Sequence, residues 1–345
     1  MSALAEPVDL DLLRMPFDQY QRYRTATDLL RDLGVPEGSK VLEVGGAPGP
    51  IEKFLPKHEV FVVDRYGEHG GRYAIADGAR LPFADGTFEV VVTLDTLEHV
   101  PAKDRPAFLA EARRVSKDLV ILSAPFASED VVLAEDALHA FVKQRFGGDF
   151  PTLQEHRDHG LPVLDAVVEQ MRFDGWSATT LPSGYLPRWL LGMIFHHELL
   201  AIGMSGLEDL HAYYNRTVSP LDCRAPAYRH VVVGARSRPV AELAAATARL
   251  ATSGNEMAAQ TAVASIASSV ISHRLAGSPE IDRLRENVDA RDRLVSDLER
   301  QIADRDAHIV ELRAQIERLI HYLDARNART VRARLRSALR RSGPA

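Results

Sequence analysis

The stretch Val41-Leu42-Glu43-Val44-Gly45-Gly46-Ala47-Pro48-Gly49 decides the fold of this chain. A short apolar run ends in a carboxylate, and a glycine-rich turn follows directly. In a parallel α/β sheet this pattern presents backbone N–H groups and one acidic side chain to a nucleotide-like ligand at the C-terminal end of a strand. Glycines after a strand can also serve a tight turn alone, so the interpretation depends on the segments that follow.

Two later segments occupy the positions that such a sheet requires. Val60-Phe61-Val62-Val63-Asp64 is a second apolar run that ends in a carboxylate, twenty-one residues after Glu43. An acidic residue at about this distance accepts hydrogen bonds from ribose hydroxyls in this architecture. Further on, a polar loop with the turn Asp77-Gly78 precedes an apolar run from Phe88 to Leu94, which leads into Asp95-Thr96-Leu97-Glu98-His99.

Together these segments resemble the class I S-adenosylmethionine-dependent methyltransferases, specifically the type-11 group. The pattern of that group is acidic-x-Gly-x-Gly-x-Gly, an acidic strand end, Asp-x-x-x-Leu-Pro-Phe-x-Asp-x-x-Phe-Asp and then Leu-Glu-His, and it matches in order over residues 38 to 126. Two positions depart from it: Ala47 replaces the middle glycine, and Glu89 replaces an aspartate. The resemblance implies an α/β fold with a Rossmann-like, doubly wound, mostly parallel seven-stranded sheet, and S-adenosylmethionine as cofactor.

The resemblance also implies which residues bind the cofactor. Glu43 and the backbone of the glycine turn would hold its amino-acid end, and Asp64 would accept from both ribose hydroxyls. Asp77 would bind the adenine amino group, although Asp-Gly also forms ordinary turns. The full set of expected cofactor-binding residues is Glu43, Gly45, Gly46, Gly49, Asp64, Arg65, Asp77, Gly78, Ala79 and Asp95.

The catalytic candidates are Glu98, His99 and His156. His99 is the leading candidate for a general base, because an unperturbed imidazole has a pKa near neutrality. A structural role for His99, capping the next helix or bonding to the backbone, is the alternative. The spacing Asp-x-x-Glu-His also resembles methyltransferases that bind a divalent metal at this corner, with a further ligand from His156 or His159. No metal ligand is assigned from the sequence.

Composition divides the chain into four regions. Residues 1–238 are predicted to form the methyltransferase domain, with a mostly helical insertion at 127–173 that acts as a lid over the cleft. Residues 239–278 are rich in Ala, Ser and Thr and poor in aromatics. Ala-rich stretches favour helix, but little there could pack a core, and we expect a linker in helical pieces. A coiled coil at 279–325 and a basic tail at 326–345 follow.

A heptad repeat begins at Ile281 and continues without a break. Its a positions are Ile281, Val288, Val295, Ile302, Ile309, Ile316 and Leu323, and its d positions are Leu284, Arg291, Leu298, Arg305, Leu312 and Leu319. β-Branched residues at a with Leu at d favour a parallel two-stranded coiled coil. We therefore expect a homodimer through residues 281–323; a single amphipathic helix folded back on the domain is the alternative.

Charge is distributed unevenly along the chain. The net charge is −6, but residues 326–345 hold seven arginines and no acidic residue, which leaves −13 for the remainder. The tail has the pattern of a basic helix that contacts an anionic membrane through residues 326–341; a solvated end of the coil is the alternative. Nucleic acid is a weaker option, because the tail lacks aromatic residues for base stacking.

The cellular compartment is predicted from the cysteine content and from the absence of targeting and membrane-spanning patterns in the sequence. Cys223 is the single cysteine, which excludes an internal disulfide. The first residues do not resemble a secretion signal, and no apolar stretch is long enough to span a bilayer. These features predict a cytoplasmic protein, with peripheral contact to the inner face of the membrane through its tail.

The expected function is S-adenosylmethionine-dependent methyl transfer to a small-molecule or glycan acceptor, with a sugar hydroxyl as the acceptor group. The segments Pro16 to Arg24 and Gly184 to Trp189 are similar to methyltransferases found with bacterial glycan assembly enzymes. The main alternative is a non-catalytic cofactor-binding scaffold dimerised by the coiled coil. A nicotinamide oxidoreductase ranks lower, because the third-glycine spacing of Gly-x-Gly-x-x-Gly is missing.

Overall fold

The computed structural model describes residues 9–46, 49–67, 71–203, 206–251, 256–274 and 290–312, together with positions 288, 315 and 318. The chain divides into two compact units, Met1–Arg274 and Leu275–Ala345. The basic tail at 326–345, the departure at Ala47 and the ends of the heptad repeat lie outside the described residues. The predicted membrane contact of the tail therefore stays a prediction.

A seven-stranded sheet lies at the centre of the described part of the first unit. Its strands are β1 (Lys40–Val44), β2 (Glu59–Asp64), β3 (Tyr73–Ile75), β4 (Phe88–Leu94), β5 (Ser116–Pro125), β6 (Ser177–Tyr185) and β7 (Ala227–Ala235). They lie in the order 3-2-1-4-5-7-6, with β7 antiparallel to both of its neighbours and the other pairs parallel. The predicted α/β fold with a mostly parallel, doubly wound sheet is confirmed.

Helices cover both faces of this sheet and form a further layer beside it. Within the described residues of this unit they are α1 (Leu10–Leu13), α2 (Phe17–Asp32), α3 (Ile51–Phe54), α4 (Arg105–Val115), α5 (Glu129–Phe146), α6 (Pro151–His159), α7 (Leu164–Met171), α8 (Leu186–Ala201), α9 (Leu207–Thr217), α10 (Val240–Leu250) and α11 (Glu256–Arg274). Short 3-10 turns occur at Leu97–His99, Phe173–Gly175 and Ser219–Leu221.

The core is built in three clusters. Leu29 and Leu30 of α2 pack with α10 on one face of the sheet, and Leu109 of α4 packs with α7 on the other. Because both faces are covered, β4 is buried along almost its whole length, which explains its continuous apolar sequence. The third cluster joins α5, α8, α9 and α11, and it places a helical layer next to the C-terminal ends of the strands.

The segment 239–278 is not the linker that the sequence predicts. In its described residues, α10 buries Leu243 and Ala246 against the sheet, and α11 buries Ala259 and Ala262 against α8 and α9. The prediction of a linker was wrong because it assumed that a segment with few aromatic residues cannot contribute to a hydrophobic core. Alanines contribute to a core by letting helices approach closely, and burying an alanine loses no side-chain conformational entropy.

The insertion at 127–173 is a lid only in part. α5 and α6 belong to the helical layer beside the sheet, with Val131 and Leu153 buried there. α7 instead packs beneath the sheet through Val167 and Met171. The lid therefore ends before α7, because α7 belongs to the core of the domain.

In the second unit, residues 290–312 form a helix. The a and d residues described there are solvent-exposed within the single chain, with Val295 at 41%, Leu298 at 48% and Ile302 at 58%. Pairing of this helix with a second copy stays a prediction. Among the described helices of the whole chain, none combines the length and apolar character needed to cross a membrane.

The packing of α10 leads to a prediction about stability. Leu243 is 0% exposed, whereas Val240 on the same helix is 50% exposed. Leu243→Ala should lower the free energy of unfolding by about 2–5 kcal/mol, because it leaves a cavity under the helix. Val240→Ala is the matched control and should cost much less. Guanidinium denaturation of both variants measures this, and equal small losses would mean that α10 is not part of the cooperative fold.

Candidate active site

The candidate site lies where β1 and β4 end side by side. From this pair the sheet continues to β2 and β3 on one side and to β5, β7 and β6 on the other. A crevice therefore opens at the C-terminal ends of β1 and β4. The N–H of Gly45 donates to the carbonyl oxygen of Val63 at 2.8 Å, and the N–H of Asp95 donates to that of Ser123 at 2.8 Å. Both turns are therefore fixed to the neighbouring strands.

The glycine turn packs against the buried side chain of Glu43. A Cβ at Gly46 would overlap the Glu43 carboxylate, and a Cβ at Gly49 would lie 2.6 Å from the hydroxyl oxygen of Tyr23. Burial raises the pKa of Glu43 to about 7, although a hydrogen bond from Tyr23 opposes the shift. Within the described residues, Oε2 of Glu43 is buried without a hydrogen-bond partner. The turn thus surrounds one carboxylate oxygen that remains able to accept a hydrogen bond from a ligand.

The end of β2 forms the opposite wall of the crevice. Asp64 accepts a hydrogen bond from the N–H of Tyr66 at 3.0 Å. Nη2 of Arg65 donates to both carboxylate oxygens of Asp77 at 3.1 Å. The N–H of Ala79 donates to Asp77 at 3.0 Å, and this bond, together with Arg65, lowers the pKa of Asp77. Asp77 is therefore an ionised residue that organises its own turn and holds Arg65 beside it.

One cleft of about 430 Å³ connects these elements to the lid. Of the expected cofactor-binding residues, those that line it are Gly45, Asp64, Arg65, Asp77, Gly78 and Asp95. Glu43, Gly46, Gly49 and Ala79 do not line it. Thr152, Glu155 and His159 of α6 line the same cleft from the lid side, so the insertion contributes side chains directly to the candidate site.

Asp95 is the most constrained residue of the cleft. Its backbone has φ +50°, a left-handed conformation that costs energy in a residue other than glycine. Nε of Arg229 donates to both carboxylate oxygens at 2.7 Å, and Nη1 of Arg22 donates to Oδ2 at 2.8 Å. Burial alone would raise the pKa of Asp95, but the two guanidinium groups bring it to about 2. Asp95 is therefore ionised at any pH near neutrality.

Arg229 connects this carboxylate to helices α2 and α8. It is 2% exposed, and its Nη2 donates to Oδ1 of Asp18 at 2.7 Å. Nε1 of Trp189 donates to the same oxygen at 2.7 Å. Sequence analysis missed Arg229 and Asp18. The available signal was an arginine inside the apolar strand Ala227–Ala235, because a charge buried in a strand requires a partner.

The three catalytic candidates lie together at the lid side of the cleft. The ring centroids of His99 and His156 are 4.8 Å apart, and one ligand atom from each of Glu98, His99 and His156 lies within 4.8 Å of the other two. Nδ1 of His99 is 2.7 Å from Oε2 of Glu155, and Nδ1 of His156 is 2.8 Å from Oε1 of Glu135. His159 lines the cleft but is not part of this cluster.

Burial controls ionisation in the cluster. Burial, and then the charge of Asp95, raises the pKa of Glu98 well above its usual value. Burial, and then His156, lowers the pKa of His99. At neutral pH His99 is therefore an uncharged imidazole.

Comparisons with known proteins agree with this geometry. Residues 57–124 match the family model described as a methyltransferase domain. Relatives from Mycobacterium sp. strains KMS, JLS and MCS, each described as an uncharacterized methyltransferase, are 38% identical over 77 residues. The match covers 19% of this chain and 31% of each relative, so this chain spans about a third of the length of the curated relatives that it matches.

Similar solved structures include the YcgJ protein from Bacillus subtilis, at 13% identity and a TM-score of 0.38, covering 62% of this chain and 100% of that one. Another is magnesium protoporphyrin IX methyltransferase from Synechocystis PCC 6803 with bound S-adenosylhomocysteine, at 12% identity and a TM-score of 0.38, covering 64% of this chain and 84% of that one. The family match covers β2 to β4 and most of β5, next to the crevice at the ends of β1 and β4.

Proposed function

We propose that this protein transfers the methyl group of S-adenosylmethionine to an oxygen acceptor, a sugar hydroxyl of a small molecule or glycan. The observation that carries the proposal is a single cleft with Asp64 on one wall and His99 on the other. A cofactor-binding strand end and a neutral imidazole thus face the same space. This arrangement suits a reaction in which a bound electrophile meets a hydroxyl that must lose its proton.

The residues present fit the cofactor. The buried, unpartnered Oε2 of Glu43 is suited to accept from an ammonium group, and a Cβ at Gly46 would overlap this carboxylate. Asp64 presents a carboxylate at the end of β2, where a ribose diol is bound in this architecture. When bound, the cofactor supplies an electrophilic methyl group. The task left to the protein is to orient the acceptor and manage its proton.

The acceptor is proposed to lie beside His99. Glu155 holds Nδ1 of the ring at 2.7 Å, which directs Nε2 as the nitrogen available to a substrate. Burial lowers the pKa of this imidazole, so it is unprotonated at neutral pH and able to take a proton from a hydroxyl. Glu98 and His156 lie close to it, each with one ligand atom within 4.8 Å.

The proposal of a sugar hydroxyl has its support in the flanks of the domain. The segments Pro16 to Arg24 and Gly184 to Trp189 resemble methyltransferases found with glycan assembly enzymes, and they contact each other through the bond from Trp189 to Asp18. The same Asp18 carboxylate accepts from Arg229, which holds Asp95 in the cleft. The two segments therefore form one structural unit connected to the candidate site.

We also propose that the protein is a homodimer through the helix that contains residues 290–312. Val295, Ile302 and Ile309 are each more than 40% exposed in the single chain, and they recur at the spacing of heptad a positions. A second copy of the same helix would cover this stripe. The segment would then join two methyltransferase domains in one assembly.

Cofactor binding is tested by calorimetric titration with S-adenosylhomocysteine. We expect micromolar binding to the wild type and a loss of about tenfold to a hundredfold in Asp64→Ala, because a charge-assisted hydrogen bond contributes about 1.5–3 kcal/mol. Asp209→Ala removes an exposed carboxylate that pairs with Arg14 outside the cleft, and it should bind as the wild type does. A folded wild type that does not bind S-adenosylhomocysteine would contradict the proposal.

Dimerisation is tested by light scattering at micromolar concentration. The wild type should have twice the chain mass of 38.1 kDa. Ile302→Glu should be monomeric, because it places a charge in the a position of the seam. Ala303→Glu, one residue along and outside the seam, should remain dimeric. A monomeric wild type, or equal masses for the two variants, would contradict the coiled coil.

A further inference from the structure

The cluster of Glu98, His99 and His156 brings one carboxylate oxygen and two imidazole nitrogens close together. The three ligand atoms lie within 4.8 Å of one another. In a tetrahedral site with ligand distances of about 2.1 Å, ligand atoms are separated by about 3.4 Å. Movements of about one ångström would therefore close the three side chains around an ion.

Each histidine of the cluster is already oriented by a carboxylate. Nδ1 of His99 bonds Glu155 at 2.7 Å, and Nδ1 of His156 bonds Glu135 at 2.8 Å. Glu135 in turn accepts from the hydroxyl of Tyr228 at 2.8 Å. An imidazole held through one nitrogen by a carboxylate, with the other nitrogen directed elsewhere, is the usual arrangement around metal-binding histidines.

Two of the ligand-bearing side chains are deeply buried and incompletely satisfied. Glu98 is 1% exposed and His156 is 4% exposed. Among the described residues, neither Oε2 of Glu98 nor Nε2 of His156 has a hydrogen-bond partner. Leaving a buried polar atom unpaired costs free energy. Both atoms are therefore available to a ligand.

The charges around the cluster also favour a cation. Three carboxyl groups, those of Glu98, Glu135 and Glu155, surround two histidines. The nearby guanidinium groups of Arg22 and Arg229 are directed at Asp95 and do not bond to any of these three. A divalent ion would supply the partner that a buried carboxylate requires.

We propose that Glu98, His99 and His156 bind one divalent first-row transition-metal cation, with zinc as the reference ion, at the acceptor end of the cleft. Two histidines and one carboxylate are the ligand set of several catalytic zinc sites and of non-haem iron sites. Three protein ligands leave at least one coordination position open. Because His99 lines the cleft, that position faces the space proposed for the acceptor.

This role deepens the proposed function and rests on it. A hydroxyl bound to the cation loses its proton to solvent more readily. The oxygen lone pair then forms the new O–CH₃ bond while the methyl–sulfur bond breaks, which gives a methyl ether and S-adenosylhomocysteine. His99 would act as a ligand in this arrangement, and the cation would take over the activation for which His99 was the candidate base.

The proposal is tested with the full-length chain, stripped of metal by chelation and titrated with cobalt(II). We expect one equivalent to bind, with the visible absorption bands of low-symmetry cobalt, and zinc should displace it. His156→Gln should weaken cobalt binding by about a hundredfold or more, since it removes a direct ligand. His159→Gln, three residues along the same helix and outside the cluster, should bind cobalt as the wild type does. Glu98→Gln provides a second ligand variant of the same shape.

Each outcome has a defined meaning. Absence of cobalt bands in a wild type that binds S-adenosylhomocysteine would overturn the metal site and leave the proposed function intact, with His99 as the base. Cobalt affinity of His156→Gln equal to that of the wild type would place the ion elsewhere and also overturn the proposal. Cobalt binding that depends on His156, in a protein that does not bind S-adenosylhomocysteine, would support the metal site and contradict the methyltransferase function. Circular dichroism of each variant confirms that it is folded.

Discussion

The contact between Asp95 and Arg229 is the interaction on which the rest of the site depends. It holds a carboxylate at the end of β4 in a left-handed backbone conformation, and the same guanidinium reaches Asp18 and through it Trp189. Strands β4 and β7 and helices α2 and α8 therefore meet at one buried group of charges. Because removing one partner of a buried ion pair typically costs about 3–5 kcal/mol, these four elements have little freedom to move independently.

The candidate site has two halves, and each half is built by a different part of the chain. The half proposed to bind the cofactor belongs to the sheet: Glu43, Gly45 and Asp64 are fixed by backbone bonds between parallel strands. The half proposed to bind the acceptor depends on the inserted helices, since α6 supplies His156 and Glu155 and α5 supplies Glu135. Variation in the insertion could therefore change the acceptor without disturbing the cofactor half, as is usual for loops and insertions at the ends of a parallel sheet.

The sequence predicted those parts of the structure that follow from local pattern. Apolar runs ending in Glu43, Asp64 and Asp95 located three strands and the crevice between them, and Glu98, His99 and His156 were expected at one site. The partner of Asp95 could not be predicted, because Arg229 is 134 residues away and only the tertiary fold brings them together. The packing of α10 and α11 was missed for a different reason: their cores are built from alanines, whose contribution depends on how closely helices approach.

A crystal structure of the full chain with S-adenosylhomocysteine would test the central claim most directly, because that claim concerns geometry. We predict that the ligand lies in the cleft with its ribose on Asp64 and its sulfur facing the side of the cleft formed by His99. Asp95 should keep its bonds to Arg22 and Arg229, since they are present before any ligand binds. A ligand bound outside this cleft, or an Asp95 carboxylate released from both arginines, would contradict the account.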